Sequence, residues 1–249
     1  MSSVFVRTDY EVLTHYVSLY LKGAVDNARA LGFRVYDLYG EDAVWEEFSR
    51  VLEEANPFVV CVGTHGLEKL LYGQGGSVLL RACMNDDVLS GRVCFALACR
   101  TASGLGVSSV DKHCLAYFGW LEDFVVILDE GYPPLEDPYA YSFFRPILKG
   151  LDVLFRDVLT GVDVQGLAKD VYETVVAAFN EEIEYWKSIP TVTASQMVTY
   201  LMHDRDTFIP ITATGVYTPP AVITAEVPLR QFLAISALAL PLAFKSLMK

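Results

Sequence analysis

Two short apolar runs, each broken off at a chemically capable residue, constrain this chain more than any other feature. Val93–Cys94–Phe95–Ala96–Leu97–Ala98 has the length of a buried strand and ends at Cys99. The residues that follow, Arg100 to Gly104, are all polar or small. Phe58–Val59–Val60–Cys61–Val62–Gly63 has the same character and ends in Thr64–His65–Gly66. Between them lie Leu67–Leu71 and Val78–Met84, the second predicted helical, which supply a crossover. Parallel neighbours joined by a crossover end on one edge of a sheet, where α/β folds keep their sites. His65 and Cys99 are therefore expected side by side. A neutral imidazole can take the thiol proton, and the imidazolium then stabilises the thiolate. Gly66 lets a substrate carbonyl approach the backbone and offers an N–H to an oxyanion. The bland alternative is that Cys99, like most cysteines at strand ends, is a small core residue.

The rest of the chain fits the same architecture. Val4–Val6 is predicted as a strand, Glu11–Leu31 as a long amphipathic helix closed by Gly32, and Phe33–Tyr36 as a second strand. A second helix is predicted from Gly40–Asp42 to Ala55, stopped by Asn56–Pro57, with Asp42 at its first turn. This β-α-β-α-β order implies a parallel sheet covered by helices. His15 reads as an ordinary surface residue of the first helix. Val107–Lys112 reads as a polar connector or the start of a surface helix. Cys114–Trp120 is the next strand and Phe124–Leu128 a further one. The prolines at 133, 134 and 138 mark a boundary, dividing an α/β core over residues 1–130 from a mainly helical extension over 131–249 that packs on it. Tyr141–Leu159 and Leu167–Ile189 are predicted as long helices, and Ser195–Met202 as a short one with His203–Asp206 exposed at its end. Strands are predicted at Ile209–Ala213 and Val222–Val227. The apolar segment Leu229–Met248 has an uncharged stretch shorter than the roughly 20 residues a bilayer span needs, so a buried or interface helix is expected, with a membrane-surface or partner-docking helix as the alternative.

Composition excludes several classes. A net charge of −12 offers no basic stripe to phosphates, which argues against nucleic acid. Five cysteines with no C-x-x-C pair give neither a disulfide framework nor a zinc site, and point to a reducing compartment. Gly73–Gln74–Gly75–Gly76 lacks the Lys-Ser/Thr of a phosphate loop. Gly-x-Ser-x-Gly is absent, which leaves a serine hydrolase without its nucleophile turn. The N-terminus has no basic and apolar leader pattern, so a cytoplasmic protein is expected.

FVVCVGTHG followed by FALACRTASG resembles the caspase-like cysteine peptidases: caspases, metacaspases, clostripain, gingipains, separase and CHAT domains. Their pattern is an apolar strand ending in His-Gly, then one ending in Ala-Cys. Ala98–Cys99–Arg100 matches the caspase Ala-Cys-Arg, but Thr101 stands where caspases have Gly, and the His–Cys spacing is shorter than the roughly 50 residues of caspases. The resemblance covers Val4 to Asp129. It implies a caspase-like α/β/α sandwich with a mostly parallel central sheet, acting as a cysteine endopeptidase on a peptide or protein substrate. Cys99 would be the nucleophile and His65 the acid–base, with the N–H groups of Gly66 and Cys99 forming the oxyanion hole. Thr64 or a backbone carbonyl would orient the imidazole. It also implies a substrate pocket near Trp120, Glu122 and Asp123, with Asp129 and Glu130 as further acids for a basic P1 side chain, and a processing loop near Asp111 and Lys112. Neither a metal nor a cofactor is implied. A catalytically silent binding or regulatory protein on the same scaffold is the alternative, and the C-terminal apolar helix is a candidate surface for a homo-oligomer.

Overall fold

Strand β1 (Ser2–Arg7) carries Val4, Phe5 and Val6, none with any solvent exposure. Phe5 faces one hydrophobic core; Val4 and Val6 face another. The same division recurs in β3 (Val59–Gly63), β7 (Val93–Leu97) and β8 (Ala116–Trp120). Cys61, Phe95 and Phe118 join the first core, and Val60, Cys94, Ala96 and Tyr117 the second. Successive side chains alternate between faces, and both faces are covered, so these strands read as unbroken apolar runs.

The computed structural model describes residues 1–216. With β2 (Arg34–Tyr39), β9 (Phe208–Thr212) and β10 (Gly215–Val216), the central sheet has the order β10-β9-β8-β7-β3-β1-β2. The five strands from β8 to β2 are parallel neighbours, and β9 and β10 join antiparallel. A small antiparallel sheet, β4 (Gly66–Leu67), β5 (Leu70–Tyr72) and β6 (Val78–Arg81), lies between β3 and β7 in sequence. The helices among the described residues are α1 (Val12–Ala30), α2 (Trp45–Ala55), α3 (Leu105–Asp111), α4 (Pro138–Thr160), α5 (Val164–Lys187) and α6 (Val192–Thr207). Residues of α1, α4, α5 and α6 pack into the first core, and those of α2 and α3 into the second. The result is a mixed α/β structure with a mostly parallel central sheet and helices on both faces, as an α/β/α sandwich requires.

Local chemistry sets the boundaries. Gly32 adopts φ +94° just past α1, and Asn56 adopts φ +42° at the end of α2, before Pro57. Asp137 caps α4 by accepting the N–H groups of Tyr139 at 2.9 Å and Ala140 at 3.3 Å, with Pro138 at the first helical position.

Several expectations are corrected. Val78–Met84 begins as strand β6, not a helix: a short apolar run does not fix its own period, and here it pairs with β5. Gly40–Asp42 forms a separate 3₁₀ turn, because the Ala43 carbonyl accepts the Gln74 N–H at 2.8 Å instead of starting the helix, which begins at Trp45. Val107–Lys112 lies mostly within α3. Phe124–Leu128 is not a strand, since β9 occupies the edge of β8 next to it. Residues His203–Asp206 lie inside α6, with Asp204 wholly buried. Helices α4 to α6 follow the boundary near residue 131, and β9 then returns to the sheet, which draws strands from both sides of that boundary. The strand expected at 222–227 and the apolar segment at 229–248 lie outside the described residues.

Candidate active site

The site is built by register. Arg7 of β1 pairs with Gly63 of β3, and Gly63 pairs with Leu97 of β7. Thr8, Thr64 and Ala98 therefore leave the sheet at one level. The Thr64 N–H donates to the Leu97 carbonyl at 3.2 Å, and the Thr8 hydroxyl donates to that of Thr64 at 3.0 Å. His65 and Cys99 come next on adjacent strands, and both line one small cavity of about 20 Å³ with Thr64, Ala98 and Phe124. No hydrogen bond joins imidazole and thiol among the described residues.

The partner of the imidazole is one that sequence reasoning missed. His65 Nε2 pairs with the carboxylate of Glu11, the N-cap residue just before α1. In the tautomer that donates Nε2–H to Glu11, Nδ1 keeps its lone pair, and it has no hydrogen-bond partner among the described residues. Thr64, expected as a possible orienting group, is engaged with Thr8 instead. The Tyr10 ring lies edge-on to His65, with centroids 6.0 Å apart. Only the neighbouring positions of β1 and β3 bring Glu11 here; no local motif marks it.

Gly66 is where the two loops touch. A Cβ at this position would lie 2.6 Å from the Cys99 carbonyl oxygen and 2.9 Å from the Ala98 side chain. Only glycine permits that approach. The Tyr72 N–H donates to the His65 carbonyl at 3.1 Å, so His65/Tyr72 is a hydrogen-bonded pair. The next pair, Gly66/Leu71, is then non-hydrogen-bonded, and the Gly66 N–H turns away from β5. The Cys99 N–H also has no acceptor among the described residues.

Cys99 is half-buried. Burial pushes its thiol up from the ordinary value, opposed by a hydrogen bond to the Phe124 carbonyl; Asp123 and Asp204 raise it further, while Arg100 lowers it. Arg100 adopts φ +60°, a left-handed conformation that turns the chain sharply after the thiol.

The expected substrate residues are placed differently from one another. Trp120 is fully buried, donates from Nε1 to the Asp204 carbonyl at 3.0 Å and packs on Phe124 and Phe208; it belongs to the core. Glu122 is exposed, and its carbonyl accepts the Arg100 N–H at 3.0 Å. Asp123 is exposed and paired with the Arg100 guanidinium at 2.6 Å. Glu130 lines a surface cavity of about 540 Å³ with Asp9, Tyr10, Glu11, His15 and Tyr132, whereas Asp129 turns back on its own loop. His15 is tied to Asp9 at 3.1 Å. Asp111 ends α3, and Lys112 pairs with the buried Asp86.

Among the described residues there is no cluster of three or more His, Cys, Asp or Glu that could hold a metal ion, and no helix long and apolar enough to cross a membrane. Compared with protein-family models the chain matches none, and compared with curated proteins it matches none.

Proposed function

We propose that the chain is a caspase-like cysteine endopeptidase in which Cys99 is the nucleophile, His65 the acid–base and Glu11 the group that positions the imidazole. The observation that carries this reading is the meeting of His65 and Cys99 on one cavity, with a carboxylate paired to Nε2 of the ring. Cys99 Sγ attacks the scissile carbonyl carbon while His65 Nδ1 takes the thiol proton. The N–H groups of Gly66 and Cys99 receive the oxyanion. His65 returns the proton to the leaving amine, the C–N bond breaks, and the peptide remains as a thioester. Water then attacks the thioester, releasing the carboxylate and restoring the thiol. Glu11 keeps the ring in the tautomer that leaves Nδ1 basic.

A basic P1 residue is supported by the carboxylates of Asp9, Glu11 and Glu130 around the neighbouring surface cavity. A cytoplasmic peptidase acting without a cofactor is the corresponding setting. The second reading, a catalytically silent regulatory protein, draws on the small volume left beside the thiol.

Hydrolysis of fluorogenic peptides with Arg, Lys, Asp or Asn at P1 separates the two. The peptidase reading expects cleavage after Arg or Lys that is lost in Cys99→Ala. Cleavage retained in that variant would remove Cys99 from the mechanism.

A further inference from the structure

The cavity beside Cys99 has room for about one water molecule, not for a peptide. It is walled by Leu13, Thr14 and Val17 of α1 and by Phe124 from the segment after β8. Phe124 is nearly buried against Trp120 and Phe144, and its carbonyl accepts the Cys99 thiol at 3.9 Å. The segment makes no sheet ladder; side chains and loop backbone hold it instead. The Arg100 N–H donates to the Glu122 carbonyl at 3.0 Å, and the Arg100 guanidinium pairs with Asp123 at 2.6 Å. On the α6 side, His203 Nε2 donates to the Asp123 carbonyl at 2.9 Å, and Asp204 Oδ1 accepts the Val125 N–H at 3.0 Å. Asp204 is wholly buried, and its second oxygen has no partner among the described residues.

We propose that residues 122–125 are an autoinhibitory strap, which seals Cys99 in the closed state and must lift from α6 before a substrate reaches the thiol. The strap presents a peptide carbonyl to the thiol in the place where a substrate carbonyl has to arrive. The Arg100 guanidinium and the His203 imidazole fasten it from the surface, so these two bonds can be released without disturbing the core. Backbone outside a sheet ladder opens locally at lower cost than a sheet strand, and lifting this segment withdraws Phe124 and the Val125 N–H from buried partners. The regulatory meaning of the strap rests on Cys99 being the nucleophile; its closure over the thiol does not.

The test is iodoacetamide alkylation of the full native chain, read by peptide mass mapping at Cys99. Cys83, which is exposed, serves as the reference thiol in the same molecule. In the unaltered chain Cys99 reacts far more slowly than Cys83. The double variant Arg100→Gln, His203→Ala raises the Cys99/Cys83 rate ratio at least about tenfold, as expected for a tenfold shift in a local opening equilibrium. Phe124→Ala, carrying the same ratio upward by removing the strap's buried side chain, provides a second variant if the double variant melts early. A ratio within about twofold of the unaltered chain in both variants overturns the strap, as does a Cys99 that already reacts as fast as Cys83. Alkylation does not depend on turnover. A raised ratio with no peptide cleavage therefore supports the strap while counting against the peptidase reading, and cleavage by the unaltered chain as fast as by the double variant overturns the strap alone.

Discussion

Cys94 lies within β7 and Cys99 just past its end, and their surroundings set them apart. Cys94 is fully enclosed in the second core, where burial pushes its thiol well above the ordinary range, with Cys114 and Cys61 adding to the effect. Cys99 is raised by burial too, but it has a hydrogen-bond acceptor, a nearby guanidinium and a shared cavity with His65. A thiol inside a strand is confined by neighbours on both faces. A thiol beyond the last ladder pair is held from behind by the strand and meets whatever the adjacent strands deliver at the same edge.

The sharpest break in this comparison is Cys99→Ala against Cys94→Ser. Peptide cleavage falls to background in Cys99→Ala with the melting temperature nearly unchanged, checked by kinetics and calorimetry. Cys94→Ser keeps activity but buries a hydroxyl among apolar groups, costing about 1–3 kcal/mol in chemical denaturation.

Glu11→Gln addresses the proposed role of the carboxylate at that edge. Loss of the carboxylate that fixes the ring lowers kcat by up to about a hundredfold. Because Glu11 acts through His65, KM should stay nearly constant while the pH profile of kcat moves. A kcat and pH profile equal to those of the unaltered chain would leave Glu11 a structural cap only.

Gly66→Ala probes the contact between the two loops. Its Cβ meets the Cys99 carbonyl backbone at 2.6 Å, so a loop has to shift, costing about 1–3 kcal/mol of stability together with most of the activity.

The smallest effect concerns Asp204. Burial raises its carboxyl well above the ordinary value, with only the Val125 N–H opposing. Its folded pKa thus exceeds the unfolded one. The stability linked to the neutral carboxyl is complete below the unfolded value, near pH 4, and is lost as pH rises through the folded value. Asp204→Asn cannot ionise, so the difference in melting temperature, variant minus unaltered, should increase from pH 4 upward and be smallest at the acid end. A difference independent of pH would show that Asp204 is not held neutral.

The sheet was legible because its strands are buried on both faces, and Val59–Gly63 and Val93–Leu97 announce themselves as apolar runs. The long helices α1, α4 and α5 were legible from their stripes. The juxtaposition of His65 and Cys99 follows from two strand ends and the rule for parallel neighbours. Glu11 was not legible, because it reaches His65 through the adjacency of β1 and β3, and an acid at a helix start looks like any other cap. Trp120 is expected at the substrate pocket only through the resemblance, and its burial against Phe208 and Asp204 is set by β9 and α6 far along the chain. Phe124–Leu128 has the composition of a strand, but pairing needs a free edge, and β9 arrives from far along the chain to take it. Val78–Met84 reads as a helix but begins as strand β6, because a short apolar run satisfies both periods.

The decisive measurement is intact-mass analysis after incubation with peptidyl acyloxymethyl ketones carrying Arg, Lys, Asp or Asn at P1, on the unaltered chain, the Arg100→Gln, His203→Ala variant and Cys99→Ala. The expected result is a single adduct with the Arg or Lys probe, mapped to Cys99, formed faster when the strap is loosened and absent in Cys99→Ala. No adduct from folded protein, even with the strap loosened, or an adduct that survives in Cys99→Ala, would contradict the assignment of Cys99 as the nucleophile.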